Sequence, residues 1–384
     1  MSLLSLFKRE CVRMARNPIY GFCMVVFPLL VLIFFTSLMG QGQPTDMPVG
    51  VVDLDNTATS RKMVRSLDAF QSTAVVAHYT SAADARRAMQ RGEIYGFLYL
   101  PAGTTKALIE GRSVMSFYYS MTTLTSGALI FRDLKTITTL GMAGAAQTRL
   151  AAHGLREEQI MPILQPVTVS LHQLSNPWTD YNVYLSTMLV PGVIMLFIFL
   201  ITPYSIGTEI KFGTARQWLW SAQGNMAKAL VGKIMPQTLV FLSVMYAYMW
   251  YVFGYLGFPH PGGLLPLLLL GLLSVIAAQG FGVMAFSAIP SLRLSMSICS
   301  LWGVLSFSMV GSAYPVSSMD GALQALSWLF PLRHHFMVYQ TAVLNNGHLI
   351  DALPHLLALT AFAILPLPLL PRLRKALLKF KYMP

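Results

Sequence analysis

Six stretches of this chain stay apolar for about 20 residues, the length a helix needs to cross a bilayer. They cover residues 19–39, 184–206, 231–255, 264–287, 295–314 and 351–371. Several carry proline, including Pro28, Pro191, Pro203, Pro236, Pro266, Pro366 and Pro368. Membrane helices tolerate proline where neighbours satisfy the freed carbonyls. Residues 1–17 have another pattern, with Leu3, Leu4, Leu6, Phe7, Val12 and Met14 interleaved with bases. That pattern predicts an interfacial helix ahead of a first span at 18–39, with a plain polar lead-in as the simpler reading.

Residues 40–183 lose the long apolar runs and take on strand and helix periods in alternation. Val49–Val52 reads as a strand, followed by the turn Asp53-Leu54-Asp55-Asn56. Ser60–Phe70 has helical spacing, Ala74–Tyr79 is strand-like, and Ser81 with Asp84 resembles a capping box for a helix to Arg91. Strands are expected at Tyr95–Leu100, Val114–Tyr119 and Val167–Leu171, with a long helix over Leu124–His153. The alternation predicts a small mixed sheet with helices packed on it. The region 315–350 is too polar and broken to span; two short helices, dipping into the membrane from outside, are expected there.

Composition agrees with membrane residence. The 384 residues are 55% hydrophobic and 11% charged, against about 25% charged in a soluble domain. The net charge of +12 raises nucleic-acid binding as a reading. A nucleic-acid face would gather its bases on a soluble surface, whereas here they flank the apolar runs. With the N-terminus inside, the inner connections and termini hold fourteen Lys and Arg and the outer connections 256–263 and 315–350 hold only Arg333. That bias predicts both termini in the cytoplasm of a multi-pass protein. The 40–183 segment carries 12 Lys+Arg and 11 Asp+Glu and would cross regardless of charge. The first span is longer than the core of a cleaved signal, about 7–15 residues. None of Cys11, Cys23 and Cys299 lies in the 40–183 segment, so it folds without disulfides.

Candidate chemistry is sparse. The interiors of the predicted spans lack Asp, Glu, Lys and Arg, and offer only Thr202, Gln237, Ser274, Gln279, Ser306 and Ser308. Proton-coupled transport usually needs ionisable groups at that depth, so it is disfavoured. A phosphate-binding loop is missing: Gly232-Lys233 is followed by Ile234 instead of a hydroxyl residue, and Ala227 stands at the first glycine position. Asp53-x-Asp55 begins like a calcium loop but fails at Ala58 and Val64. His334-His335 lacks a nearby Cys or carboxylate for a metal site.

The informative stretch is 207–236, GTEIKFGTARQWLWSAQGNMAKALVGKIMP. It is longer than two spans need. Ile210, Phe212, Trp218, Leu219 and Trp220 alternate with Glu209, Lys211, Arg216 and Gln217. Such a segment predicts a short helix along the membrane, docking a partner or only anchoring the next span.

That stretch resembles the cytoplasmic coupling segment of type-2 ABC exporter permeases. The resemblance is carried by Glu209, Gly213-Thr214, the helix Gln217–Ser221 and Gly232-Lys233. This chain departs from the pattern with Lys211, Leu219-Trp220 and Gln223. Residues 49–66, Arg91-Gly92-Glu93 before a strand ending at Pro101, Asn176-Pro177-Trp178, Tyr181-Asn182, Leu189–Gly192 and Pro315–Gln340 fit in order. The resemblance covers nearly the whole chain. It implies an all-α six-helix transmembrane domain, residues 184–384 after the first span, with an inserted extracytoplasmic α/β domain at 40–183. It further implies a coupling loop at 207–230 in which Glu209, Lys211, Phe212, Gly213, Thr214, Arg216 and Gln217 meet an ABC ATPase. ATP and Mg would then sit on that separate subunit, and this chain would need no cofactor of its own. A second permease subunit, identical or homologous, and the lipid membrane are the other implied partners; a periplasmic adaptor is compatible. The implied place is the bacterial inner membrane and the implied cargo an amphipathic drug, lipid or peptide. A non-transporting assembly or signalling protein is the alternative, but it leaves the 207–236 loop unexplained. A lipid-processing membrane enzyme lacks the acid, base and metal ligands it would need.

Overall fold

The computed structural model describes residues 3–110, 115–164, 172 and 175–379. Val114, and the strand expected at Val167–Leu171, fall outside these residues. The chain divides into a helical unit, Met1–Gly40 with Gln173–Pro384, and a second unit, Gln41–His172.

The helical unit holds six helices long and apolar enough to cross a membrane: Pro18–Leu38, Tyr181–Lys211, Met226–Tyr255, Leu264–Ala288, Leu292–Met309 and Leu353–Lys379. They are the first to sixth spans below. The second span runs past the expected end at 206 because Gly207–Lys211 contains nothing that stops a helix. It ends where Gly213 takes a left-handed turn, φ +69°, and donates its amide to the Ile210 carbonyl at 3.1 Å. The third span starts earlier than expected because Asn225 caps it, accepting from the Lys228 amide at 3.1 Å. The sixth span breaks into a tight turn at Leu367–Leu369, with Pro366 before it and Pro368 at its centre, ahead of its last helical stretch Leu370–Lys379.

The second and fourth spans form the centre, burying Val190, Ile198, Phe199, Val275, Ala277 and Ala278. Two glycines set how close helices come. A Cβ on Gly280 would lie 2.1 Å from the Phe362 carbonyl oxygen of the sixth span, and one on Gly192 would strike the Phe307 ring at 2.4 Å. The polar segment 315–350 folds as the helix Gly321–Ser327 and the helix Pro331–Val338, which continues to Leu344. The Pro331–Val338 helix is buried in the helical unit. His335 Nδ1 meets the Ser274 hydroxyl at 2.7 Å. His334 Nε2 donates to the Trp328 carbonyl at 2.9 Å, so its Nδ1 accepts from His355 Nδ1 at 2.9 Å. These adjacent histidines therefore point to separate partners, His335 to Ser274 and His334 to Trp328 and His355.

The second unit is a three-layer sandwich. Its strands are β1 (Met47–Asp53), β2 (Thr73–His78), β3 (Gly96–Leu100) and β4 (Ser116–Tyr119). The order is β2-β1-β3-β4; β1 lies parallel to β2 and β3, and β4 runs antiparallel to β3. The two-residue period decides which helix covers which face. Met47, Val49, Val51, Leu98 and Leu100 meet the helices Ala58–Asp68 and Leu124–Ala152. Val52 and Phe97 face the opposite way, onto Ala85 and Ala88 of the helix Ala82–Gln90.

The turn expected after β1 is built by its own side chains. Asp53 Oδ1 accepts the amides of Asp55 and Asn56 at 3.1 and 2.9 Å, and Thr57 with Ser60 forms a capping box. Asp55 Oδ2 takes the Thr57 hydroxyl at 2.9 Å, the Thr105 amide at 3.2 Å and the Thr105 hydroxyl. Burial pushes the Asp55 carboxyl up, but the Thr105 and Thr57 hydroxyls outweigh it and hold the group below its usual range. A carboxyl depressed in the fold stabilises above its unfolded pKa, and that contribution fades as pH falls through the folded pKa. Asp55→Asn should therefore flatten the acid limb of this unit's stability, measured as thermal unfolding of the full chain at neutral and acid pH.

Candidate coupling site

One end of the helical unit has a core of its own. Leu6 of the N-terminal helix Leu3–Arg16 packs there with Ile206, Trp218, Leu219, Met226, Phe286, Leu373 and Leu377. These residues come from the end of the second span, the start of the third, the end of the fourth and the last helical stretch. The loop between the second and third spans supplies the helix Ala215–Ser221. The opposite end gathers the complementary helix ends. Asn182 Nδ2 donates to the Thr36 carbonyl at 3.2 Å, Tyr184 donates to the Ser312 carbonyl at 2.5 Å, and the Gly262 amide reaches the Val343 carbonyl at 3.1 Å. We call the end with Leu6 and Trp218 the base.

Five charged side chains meet inside the base. Glu209 is fully buried, and so is Lys233. Lys233 Nζ donates to Glu209 Oε1 at 2.7 Å and to Glu10 Oε2 at 2.9 Å. Arg9 donates to both Glu209 oxygens at 3.1 Å, and Arg13 and the Thr214 hydroxyl also donate to that carboxylate. Lys233 Nζ lies 4.8 Å from the centre of the Trp218 ring, a cation–π contact that covers its remaining side. Arg9 Nη1 stands 3.6 Å from Glu10 Oε1, a purely electrostatic pairing, and neither atom has a hydrogen-bond partner. Three cations face two carboxylates, so the cluster is singly positive.

The local sequence explains the assembly. Leu6 and Glu10 lie four residues apart and share one face of the N-terminal helix. A Cβ on Gly232 would come within 2.7 Å of Leu6 Cβ, so glycine lets that helix sit on the third span. The next residue, Lys233, then reaches Glu10. A buried charge with no partner would cost several kcal/mol, and that cost specifies the arrangement.

The predicted site residues divide between this interior and its rim. Glu209 is inside, and its carboxylate is taken up within the chain rather than exposed on the surface. Gly213 supplies the left-handed turn that ends the second span. Thr214 is half-buried beneath the Ala215–Ser221 helix and bonds Glu209. Lys211, Phe212, Arg216 and Gln217 are exposed on the rim, beside Trp220. Phe212 is 63% and Trp220 85% exposed, an unusual surface for large aromatic side chains. The observed helices reach beyond the predicted apolar interiors and bury a charge near an end of each: Glu209 in the last turn of the second span and Lys233 in the second turn of the third.

Sequence reasoning missed Arg9, Arg13 and Lys233 as partners of Glu209, and Glu10 as the second partner of Lys233. One signal was present. Glu10 is the lone acid in a basic amphipathic segment, and Glu209 is the lone acid of the 207–236 loop. An isolated acid among many bases is a candidate for a buried pair. Among the described residues, no group of three or more His, Cys, Asp or Glu could hold a metal ion.

Comparison with curated protein sequences gave no match. A family model described as ABC-2 family transporter protein matches residues 19–370, leaving Arg9, Glu10 and Arg13 outside the matched stretch. That match takes in both long central spans, the loop between them and the second unit, and the chain belongs to the ABC-2 family of transporter proteins as a permease.

Proposed function

We propose that this chain is the permease subunit of an ATP-driven exporter, and that a separate ABC ATPase drives it through the base. The observation that supports this most strongly is the division of the 207–224 segment into a locked interior and an open rim. Phe212, Arg216, Gln217 and Trp220 are free to meet another protein. Directly beneath them, Glu209 and Thr214 join the segment to the second span, Lys233 to the third, and Arg9, Glu10 and Arg13 to the N-terminal helix. A push on the rim is then carried into two spans and the helix that leads into the first. ATP and Mg belong on the ATPase in this reading, and Arg216 and Lys211 would make charge-assisted contacts with it.

The base faces the cytoplasm in this proposal, and the second unit is extracytoplasmic, where it hands on cargo or meets an adaptor. The cargo would be an amphipathic drug, lipid or peptide moving from the cytoplasm or inner leaflet of a bacterial inner membrane. The fifth span buries only 22% of its apolar window and presents Leu294, Leu301, Val304 and Leu305. A second permease subunit, identical or homologous, would cover that stripe, with lipid over the rest.

The test is association with an ABC ATPase from the same source, measured on the chain in nanodiscs. Wild type should hold the ATPase. Arg216→Glu and Phe212→Ala should weaken binding by about 10-fold or more, as for central interface residues, while leaving the melting temperature unchanged. An ATPase that never associates, or one indifferent to both substitutions, would overturn the proposal.

A further inference from the structure

Between the last helical stretch Leu370–Lys379 and the start of the third span lies a cavity of about 530 Å³. Its walls combine two cations, Arg374 and Lys375, with apolar Met226, Leu370, Pro371 and Leu378. The helix that carries the cations is strongly amphipathic. Leu373, Ala376 and Leu377 are buried in the base core, while Arg372, Arg374, Lys375 and Lys379 are exposed. The opposite wall is tight: Arg374 Nη2 is 3.6 Å from where a Cβ on Gly224 would stand, and Lys228 Nζ, close by in sequence, donates to Gln223 Oε1 at 3.0 Å.

Charge balance at this end is one-sided. The helical unit has five carboxylate side chains: Glu10, Asp180, Glu209, Asp320 and Asp351. Only Glu10 and Glu209 are at the base, and both are buried and already paired within the cluster. Among the described residues, no carboxylate side chain of the helical unit is left to balance Arg374 and Lys375. A cavity that offers two uncompensated cations beside an apolar wall, at the end of a membrane helix, fits a ligand with an anionic head and a hydrocarbon tail.

We propose that this cavity binds one anionic phospholipid, with the phosphate on Arg374 and Lys375 and an acyl chain along Leu370, Pro371 and Leu378. The lipid holds the last helical stretch against the base core. The inference is independent of the transport proposal, since it concerns only this chain and the bilayer.

Native mass spectrometry of the full chain in detergent tests it. With phosphatidylglycerol added, wild type should retain one lipid per chain, and phosphatidylcholine should not replace it. Arg374→Gln with Lys375→Gln should lower retention by roughly 10- to 30-fold, the loss expected from two cations at a lipid surface. Arg374→Lys with Lys375→Arg should restore it. Lys8→Gln with Arg16→Gln removes two exposed cations elsewhere at the base and should leave retention unchanged. Equal loss in that control would mean diffuse attraction and overturn the site, as would equal retention of phosphatidylcholine. A Gln double variant that keeps its phosphatidylglycerol but loses an ABC ATPase would assign the cavity to a protein contact and overturn the lipid.

Discussion

Replacing Lys233 with methionine should destabilise the helical unit by about 3–5 kcal/mol, the usual cost of breaking a buried ion pair from one side. The ammonium is fully buried and bonds both Glu10 and Glu209. Without it, two carboxylates remain inside the base, held only by Arg9, Arg13 and the Thr214 hydroxyl. Glu209→Ala should cost as much for the opposite reason, since it leaves three cations around Glu10 alone. The arginines should matter less. Their side chains are 29% and 22% exposed, and water screens a charge that can reach it, so Arg9→Met should cost about 1 kcal/mol or less. Thermal stability of the purified chain, read as the monodisperse fraction after heating, gives the order. Adding Glu10→Gln to Lys233→Met should recover part of the loss. Wild-type melting of Lys233→Met would show that the pair contributes nothing.

The second large effect is expected at Gly280. Alanine there would put a methyl 2.1 Å from the Phe362 carbonyl oxygen. Both partners are backbone, so no side chain can rotate away and the fourth and sixth spans must separate. Overpacking of this kind costs about 1–3 kcal/mol, and more where the contact is rigid. Gly21 is the control: a Cβ there meets nothing within 4 Å. Gly21→Ala should be neutral or slightly stabilising, since alanine favours the helix by about 1 kcal/mol. Equal melting of the two variants would contradict the close approach of the two helices.

What was legible in the sequence follows from which interactions are local. Apolar runs reveal spans because each span must be apolar along its own length. Short continuous apolar runs reveal β1 and β3 because each is covered on both faces by its own unit. Asp53 and Ser81 reveal turns and caps because their partners are two or three residues away. The charge cluster joins residues 9, 10 and 13 to 209 and 233, so no window of sequence contains it. Glu209 and Lys233 were visible individually, but their position at the ends of spans suggested solvent. The extension of the second span to Lys211 depended on Gly213, whose left-handed turn places the stop five residues later than the apolar run does. Gly232-Lys233 looked like a fragment of a nucleotide site; its reason is a close helix contact followed by a buried cation.

For an ATPase to reach it, the base must face the compartment that holds ATP, and labelling decides that directly. A cysteine at Pro261, which is exposed in the connection between the third and fourth spans, tests one side. A cysteine at Ala227, exposed at the base, tests the other. Gly262 is unsuitable, because its Cβ would fall 1.8 Å from the Ala342 carbonyl oxygen. Cys11 and Cys23 are replaced by alanine, and Cys299 is buried. With an impermeant maleimide added to intact cells, Pro261→Cys should react at once and Ala227→Cys only after the membrane is opened. Immediate reaction of Ala227→Cys, with Pro261→Cys protected, would place the base outside, beyond the reach of any ATPase, and contradict the account.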